Sequence, residues 1–303
     1  MSRRGFDIHR RRIVVGGVAA VVGMAGLNSR MAMAITKTAA PNRVIVIGGA
    51  LAEIVYALDK STMLVATDTS CTFPAAVLKL PKVGYQRTLS AEGVLSMHPD
   101  LILTSAEAGP PGVLQQIRQT GVNVVSFTET HNVDSLRKKI DGVARELGAM
   151  EDGAALRKRV DAEWDNAIKN VAASPLASRA QPLRVLFLLN PSGSQPMVAG
   201  QHTAADAMIS YAGARNAIQG FDGYRSLSPE ALIAAAPDVV LTTDDTLAVS
   251  GGAAAILGTP GFASTPAGRN SRIVSLDTLF LLGFGPRLPE AVMALNRQLV
   301  SAA

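Results

Sequence analysis

The sequence predicts an α/β fold of two Rossmann-like lobes with mostly parallel sheets, joined by a long connecting helix. Three observations predict this fold. Short apolar segments alternate with segments of helical spacing, this alternation stops over residues 133–173 and then resumes, and one motif occurs in each half of the chain. Together they indicate two halves of related design on either side of a helical connector.

Each half contains short apolar runs that end in turn residues, which is typical of buried strands in parallel sheets. The first run, RVIVIGG, leads into a glycine turn. The predicted strands are 43–49, 64–67, 101–104 and 122–127 in the first half, and 184–189, 239–243 and 273–276 in the second. Helices are predicted at 53–58, 89–97, 113–120 and 289–300. This alternation places helices on both faces of each sheet.

The middle of the chain lacks strand signals. From 133 to about 173, apolar residues such as Leu136, Ile140 and Val143 recur at helical spacing, with an interruption near 148–153. A stretch rich in proline, serine and alanine ends this part of the chain. The predicted domains are a first lobe at 35–148, a connecting helix and linker at 149–182, and a second lobe at 183–303.

The repeated motif reads RTLSAEGVLSMHPDLILT at 87–104 and RSLSPEALIAAAPDVVLT at 225–242. Eight positions are identical at a constant offset, and a Gly-Tyr pair precedes each copy. Ser90 and Ser228 are suited to cap helices, and the next acidic residues, Glu92 and Glu230, then lie in a first turn, where the helix dipole favours negative charge. Part of the motif is therefore explained by helix formation alone.

Helix capping does not explain why a tyrosine and an arginine precede the helix in both copies. These residues lie in loops at the predicted carboxyl edge of a sheet, where α/β proteins bind ligands. They are Tyr85 and Arg87 in the first copy, and Tyr224 and Arg225 in the second. The repeat thus predicts that these residues face a ligand in each half.

The N-terminal residues have the three parts of a signal peptide: an arginine-rich start, a short apolar run and the triplet Ala32-Met33-Ala34. We expect cleavage after Ala34, by the Sec or the twin-arginine route, although an uncleaved anchor stays open. The whole chain has 29 basic and 24 acidic residues; residues 1–34 hold six of the basic ones and one acid, which leaves 23 of each. The mature chain is neutral, so its charge predicts no nucleic-acid partner.

The sequence lacks the short motifs that mark common enzyme classes. It has no G-x-S-x-G elbow, no H-E-x-x-H, no phosphate-binding loop and no dinucleotide fingerprint. Its single cysteine, Cys71, excludes an intramolecular disulfide and is expected to be a buried small hydrophobic residue. We therefore predict a binding protein rather than an enzyme; an enzyme and a structural module are the rival classes.

The sequence resembles the heme-binding proteins of bacterial hemin ABC importers, a branch of the class III periplasmic binding proteins. Two segments resemble that branch in particular, VGYQRTLSAEGVLSMHPDLIL at 83–103 and VAGQHTAADAMISYAGARNAI at 198–218. Others are GGALAEIVYAL at 48–58, GYRSLSPEALIAAAPD at 223–238 and LFLLGFGPRLPEA at 279–291. The first of these others is shared with vitamin B12 and siderophore binders.

The resemblance implies that ferric heme is carried edge-in between the lobes and that Tyr85 gives the iron an axial oxygen ligand. A phenolate is an anionic oxygen ligand that prefers Fe(III), and a nearby cation such as Arg87 or Arg225 favours the deprotonated form. The same arginines are suited to pair with heme propionates. The sequence leaves both roles of the arginines open.

The resemblance also implies roles for residues outside the first motif. Tyr224 and Arg225 either line the cleft or only precede the helix, and His202 is either a second axial ligand or a solvated side chain. One glutamate on each lobe, Glu92 and Glu230, is implied to dock onto arginines of the importer permease.

The implied partners are heme and the ABC permease with its ATPase at the inner membrane, and the expected state is a periplasmic monomer. A cobalamin or ferric-siderophore carrier is the alternative function, since such a carrier uses aromatic and basic cleft residues without an iron-ligating tyrosine.

Overall fold

The first sheet confirms the predicted series of parallel strands. In the computed structural model, which describes residues 41–190 and 196–303, its strands are β1 (Val44–Ile47), β2 (Leu64–Thr67), β3 (Leu101–Ser105) and β4 (Asn123–Phe127). They are ordered β2-β1-β3-β4, and every pair is parallel. All four residues of β1 are buried, as the unbroken apolar run predicts for a central strand.

Helices cover both faces of this sheet, and successive residues of β1 face different hydrophobic cores because side chains alternate along a strand. The helices are α1 (Gly49–Ala57), α2 (Ala91–Leu95), α3 (Pro111–Gln119) and α4 (Val133–Glu146). Val44 and Val46 pack in the cluster that includes buried residues of α1 and α4. Ile45 and Ile47 pack with Val94 of α2 and with α3.

The second sheet is mixed, which refines the prediction of a mostly parallel sheet. Its strands are β5 (Arg184–Asn190), β6 (Met197–Ala199), β7 (Arg215–Asn216), β8 (Tyr224–Ser226), β9 (Val239–Thr243) and β10 (Ile273–Leu276). Strands β10, β9, β5 and β7 pair in parallel, whereas β6 pairs antiparallel with both β5 and β8. The short strands β6 to β8 were not predicted, since two or three residues carry no recognisable period.

The second sheet is surrounded by more helices than the sequence indicated. They are α6 (Ala204–Tyr211), α7 (Pro229–Ala235), α8 (Asp244–Val249), α9 (Ala253–Leu257), α10 (Pro266–Arg269), α11 (Thr278–Leu282) and α12 (Leu288–Ala302). The closing helix was predicted at 289–300 and agrees closely with α12. Tyr224 and Arg225, expected in a loop, instead lie in β8, where backbone pairing of Arg225 with Val198 holds them extended.

The predicted connecting helix is α5 (Met150–Ala172), which an interruption at 147–149, near the predicted 148–153, separates from α4. With 23 residues, α5 is about 34 Å long. Leu156, Val160 and Val171 of α5 share one hydrophobic cluster with buried residues of both sheets. The described residues accordingly belong to a single compact unit, and the lobe boundaries at 148 and 182 stay predictions.

The structure confirms helix capping at equivalent places in the two copies of the repeat. The Ser90 hydroxyl accepts a hydrogen bond from the Gly93 N–H at the start of α2, and the Ser228 hydroxyl accepts one from the Ala231 N–H at the start of α7. Each preceding Gly-Tyr pair has its glycine at positive φ, 105° at Gly84 and 75° at Gly223, a conformation that glycine adopts without steric cost. The two copies therefore share the helix cap and the glycine conformation, although Tyr85 lies in a loop and Tyr224 in a strand.

The predicted signal peptide at 1–34 lies outside the described residues. Within residues 41–190 and 196–303, no helix combines the length and the apolar character needed to cross a membrane. Cys71 is buried, as predicted, and its thiol contacts the Asp68 carboxylate at 3.1 Å.

Candidate functional site

Tyr85 lies in a loop that backbone hydrogen bonds hold in place. The Thr69 N–H donates to the Gly84 carbonyl at 2.9 Å, the Thr88 N–H donates to the Tyr85 carbonyl at 2.9 Å, and the Gly109 N–H donates to the Gln86 carbonyl at 2.8 Å. Thr69 and Gly109 belong to the segments that follow β2 and β3, so the loop lies at the carboxyl edge of the first sheet. The Tyr85 side chain nevertheless stays 46% exposed. A rigidly held, exposed aromatic residue at this edge is suited to contact a ligand.

Arg87, in the same loop, forms an ion pair that the sequence did not indicate. One of its terminal nitrogens, Nη2, lies 2.7 Å from Oε2 of Glu107, and both side chains are about half exposed. Glu107 follows β3, where its N–H donates to the Ser105 hydroxyl. The arginine is thus held beside the first sheet with its charge partly neutralised.

The second lobe contributes Tyr224 and Arg225. The Tyr224 side chain is 38% exposed, and the Arg225 guanidinium lies 4.9 Å from the centre of the Phe221 ring, a cation–π distance. Burial of the hydroxyl raises the Tyr224 pKa, the Glu107 carboxylate raises it further, and Arg87 and a hydrogen bond with Thr203 lower it. Glu107 and Arg87 act on Tyr224 from the opposite lobe, so Tyr224 of β8 lies near the Tyr85 loop.

The raised pKa has a chemical consequence for Tyr224. Its phenol ionises above the ordinary value near 10, so it is neutral over the physiological pH range. The proton stabilises the folded state fully below that value, and this contribution is lost as the pH rises through the folded pKa. Without a bound ligand, Tyr224 is therefore a neutral hydrogen-bonding group.

His202 lies beside this region but is directed toward another partner. Its Nδ1 lies 2.9 Å from the Asp222 carboxylate, its backbone N–H donates to Asp206, and its side chain is 81% exposed. The neighbouring residue, Thr203, contacts Tyr224. The Asp222 contact uses only one ring nitrogen, and metal-binding histidines commonly donate their other ring N–H to a carboxylate. A ligating role for His202 stays a prediction.

Glu92 and Glu230 occupy the first turns of α2 and α7, and both are exposed. The Glu230 backbone N–H and the Ser228 hydroxyl lower the Glu230 pKa by hydrogen bonding to its carboxylate. Equivalent positions in the two copies of the repeat therefore present one acidic side chain each.

The sequence analysis missed a cluster where the lobes meet. The Arg287 guanidinium donates to both carboxylate oxygens of Glu53, at 3.0 and 2.6 Å. It also lies 3.7 Å from the Phe73 ring centre and 5.0 Å from that of Phe280. Glu53 and Phe73 come from the first lobe, whereas Arg287 and Phe280 come from the second. We name this group the interlobe cluster.

A recognisable signal for the interlobe cluster was present. Glu53 is the single charge in GGALAEIVYAL, and Arg287 is the single cation in LFLLGFGPRLPEA. A lone charge in an apolar segment that becomes buried needs a partner. The partner could not be assigned, because 234 positions separate the two residues.

A second buried contact between the lobes lies close by. Lys139 of α4 pairs with Glu129 and donates to the Phe284 carbonyl at 2.9 Å. The His131 ring packs on the Phe284 ring at 5.4 Å between centres. Two sets of polar contacts, in addition to the shared hydrophobic core, therefore join the lobes.

No group of three or more His, Cys, Asp or Glu side chains is arranged to hold a metal ion anywhere in 41–190 or 196–303. A separate cavity of about 330 Å³ lies between α4 and α5 and includes none of the Tyr-Arg residues. The cleft instead offers phenols, guanidinium groups and aromatic faces, which suit a flat, anionic, largely apolar molecule.

Comparisons with known proteins agree with this geometry. BhuT, a periplasmic heme-binding protein solved in complex with two hemes, is 60% identical with a TM-score of 0.83, over 86% of this chain and 98% of that one. RhuT from Roseiflexus sp. RS-1, a periplasmic heme-binding protein in apo form, is 40% identical with a TM-score of 0.81, again over 86% and 98%.

A more distant similarity extends to another cargo. A vitamin B12-binding protein of Vibrio cholerae serotype O1 is 27% identical over 148 residues, which is 49% of this chain and 48% of that protein. The family model described as "Periplasmic binding protein" matches residues 44–278. With its two α/β lobes and connecting helix, this chain belongs to the periplasmic binding protein family, and periplasmic heme-binding proteins are among its relatives.

Proposed function

We propose that this protein binds ferric heme in the cleft between its lobes and delivers it to an ABC importer, without chemical turnover of the heme. The observation that carries the proposal is the Tyr85 side chain, exposed on a loop that hydrogen bonds hold at the carboxyl edge of the first sheet. Its phenol oxygen is the ligand type that favours Fe(III). Similarity to BhuT and RhuT over nearly their whole length supports heme as the cargo.

In this proposal the remaining cleft residues have different roles. Tyr85 is the axial iron ligand, and Arg87 and Arg225 pair with the heme propionates. Tyr224 is neutral, so it contributes a hydrogen bond and an aromatic face from the second lobe. His202 is a candidate for a second axial ligand through Nε2, while its Nδ1 stays with Asp222.

The alternative cargo is cobalamin or a ferric siderophore. The partial similarity to a vitamin B12-binding protein supports this alternative. That similarity covers about half of either chain, whereas the similarity to heme-binding proteins covers nearly the whole of each solved structure. Heme is therefore the favoured cargo.

A titration with hemin tests the cargo. We expect the protein without residues 1–34 to produce a saturable ferric Soret spectrum, which also counts the hemes bound per chain. Cyanocobalamin, added under the same conditions, is expected to cause no change in tryptophan fluorescence. Saturable cobalamin binding without hemin binding would contradict the proposal. Loss of porphyrin absorbance under reductant would instead reveal a heme-degrading enzyme.

Delivery is proposed to use Glu92 and Glu230, which place one exposed anion on each lobe for arginines of a permease. We expect the double change Glu92→Gln and Glu230→Gln to weaken binding to the importer by up to about thirtyfold, since exposed ion pairs contribute up to about 1 kcal/mol each. Glutamine keeps the helix N-terminal hydrogen bonds. Binding to the importer in nanodiscs measures the effect.

The matched control for docking is Glu163→Gln, which removes an exposed charge from α5. Hemin affinity should be the same in the docking variant, the control and the wild type. Undiminished importer binding by the docking variant would exclude these glutamates as the contact. We further propose that the carrier is a monomer in the periplasm.

A further inference from the structure

Glu107 is the acidic residue that contacts the cationic part of the Tyr85 loop. Its Oε2 atom lies 2.7 Å from Nη2 of Arg87. This is the one hydrogen bond between the two side chains, whereas a planar guanidinium can donate two parallel bonds to a carboxylate. Both side chains are about half exposed. An exposed pair with a single contact is weak, so another carboxylate can replace it.

The position of Glu107 is fixed relative to the cleft. Its segment follows β3 and joins the Tyr85 loop through two backbone bonds, Gly109 N–H to the Gln86 carbonyl and Leu89 N–H to the Gly109 carbonyl. The Glu107 charge also raises the pKa of Tyr224 in the other lobe. The carboxylate is therefore fixed beside the Tyr85 loop, where the proposed function places the heme.

We propose that Glu107 competes with a carboxylate of the ligand for Arg87. This inference rests on the proposed function and deepens it, since heme carries two propionates that suit the Arg87 guanidinium. Binding then exchanges one carboxylate partner of Arg87 for another, and the displaced Glu107 repels the ligand's own anions. Glu107 thus weakens heme binding and eases heme release, the opposite effect to that of Arg87.

The direction of the effect makes the inference testable. We expect Glu107→Gln to bind hemin about two- to fivefold more tightly than the wild type, because the exposed competing pair is lost. The gain should be largest at low ionic strength and should shrink near 1 M salt, where the screening length falls to about 3 Å. Hemin dimethyl ester, whose carboxylates are blocked, should bind the variant and the wild type alike.

Two further proteins complete the experiment. In the Arg87→Ala background, Glu107→Gln should no longer give the same gain, because the shared partner is absent. Glu163→Gln, which also removes a glutamate charge near an arginine but on α5, should leave hemin affinity unchanged.

The outcomes separate the inference from the proposed function. Absence of hemin binding by the wild type would overturn the proposed function itself. If the wild type binds hemin and Glu107→Gln binds it equally or more weakly, Glu107 is not a competitor. An equal gain for hemin and its dimethyl ester would also overturn the inference, since no ligand carboxylate would then be involved.

Discussion

Replacing Tyr85 with phenylalanine is expected to weaken ferric heme binding by on the order of 100-fold. Changes in residues that merely support a metal ligand cost about 10- to 100-fold in affinity, and this change removes the proposed ligand atom itself while keeping the ring. The charge-transfer band of a phenolate–Fe(III) complex should disappear from the visible spectrum. Hemin titration of both proteins, followed by spectra at saturation, measures both effects.

Tyr224→Phe is the matched control for this prediction, because it makes the same chemical change at the equivalent place in the second lobe. The neutral Tyr224 phenol is not the proposed iron ligand, so this variant should keep the phenolate spectrum and lose at most about tenfold in affinity, the range of one hydrogen bond. If the Tyr224→Phe protein lost the phenolate band and the Tyr85→Phe protein kept it, Tyr224 rather than Tyr85 would be the iron ligand.

Replacing Arg287 with alanine is expected to lower the free energy of unfolding by about 3 kcal/mol. The change leaves Glu53, whose side chain is 4% exposed, as a buried carboxylate without its ion-pair partner, which typically costs about 3–5 kcal/mol. The lower end is appropriate because the acid can take up a proton. Urea denaturation followed by Trp164 fluorescence measures the loss.

The loss of stability in the Arg287→Ala variant is expected to depend on pH. Burial already raises the Glu53 pKa in the folded protein, and Arg287 opposes that rise. A carboxyl group with a raised pKa favours the folded state at low pH and loses this contribution as the pH rises through its folded pKa. Without Arg287 the pKa rises further, so the destabilisation should be larger at pH 7 than at pH 5.

Arg184→Ala provides the comparison for Arg287→Ala. Arg184 also forms two bonds to one carboxylate, that of Asp238, but both side chains are partly exposed. We expect a loss of about 1 kcal/mol, as for other pairs in contact with water. If the two variants were equally stable, the interlobe cluster would contribute no more than an ordinary surface pair.

Much of the fold could be predicted because its strands are unbroken apolar runs and its repeat carries helix caps. The segment VIVI predicts a central buried strand, and Ser90 and Ser228 cap their helices as expected. The strands β6 and β8 could not be predicted, since their three residues depend on pairing with each other rather than on a local pattern.

The sequence predicts which residues belong to the candidate site, but not which side chains they contact. The repeat indicated both Tyr-Arg pairs, because helix capping does not explain why a tyrosine and an arginine precede the helix in each copy. It could not point to Glu107, which lies outside the motif and meets Arg87 only through the folding of two adjacent loops. Nor could it pair Glu53 with Arg287, whose contact depends on the packing of the lobes.

The most direct test of the central claim is a crystal structure of the hemin-saturated protein. We predict an iron atom between the lobes with the Tyr85 oxygen in its first coordination sphere and Arg87 turned from Glu107 toward a propionate. A porphyrin bound elsewhere, or iron held by other residues with the Tyr85 hydroxyl beyond bonding distance, would contradict the claim.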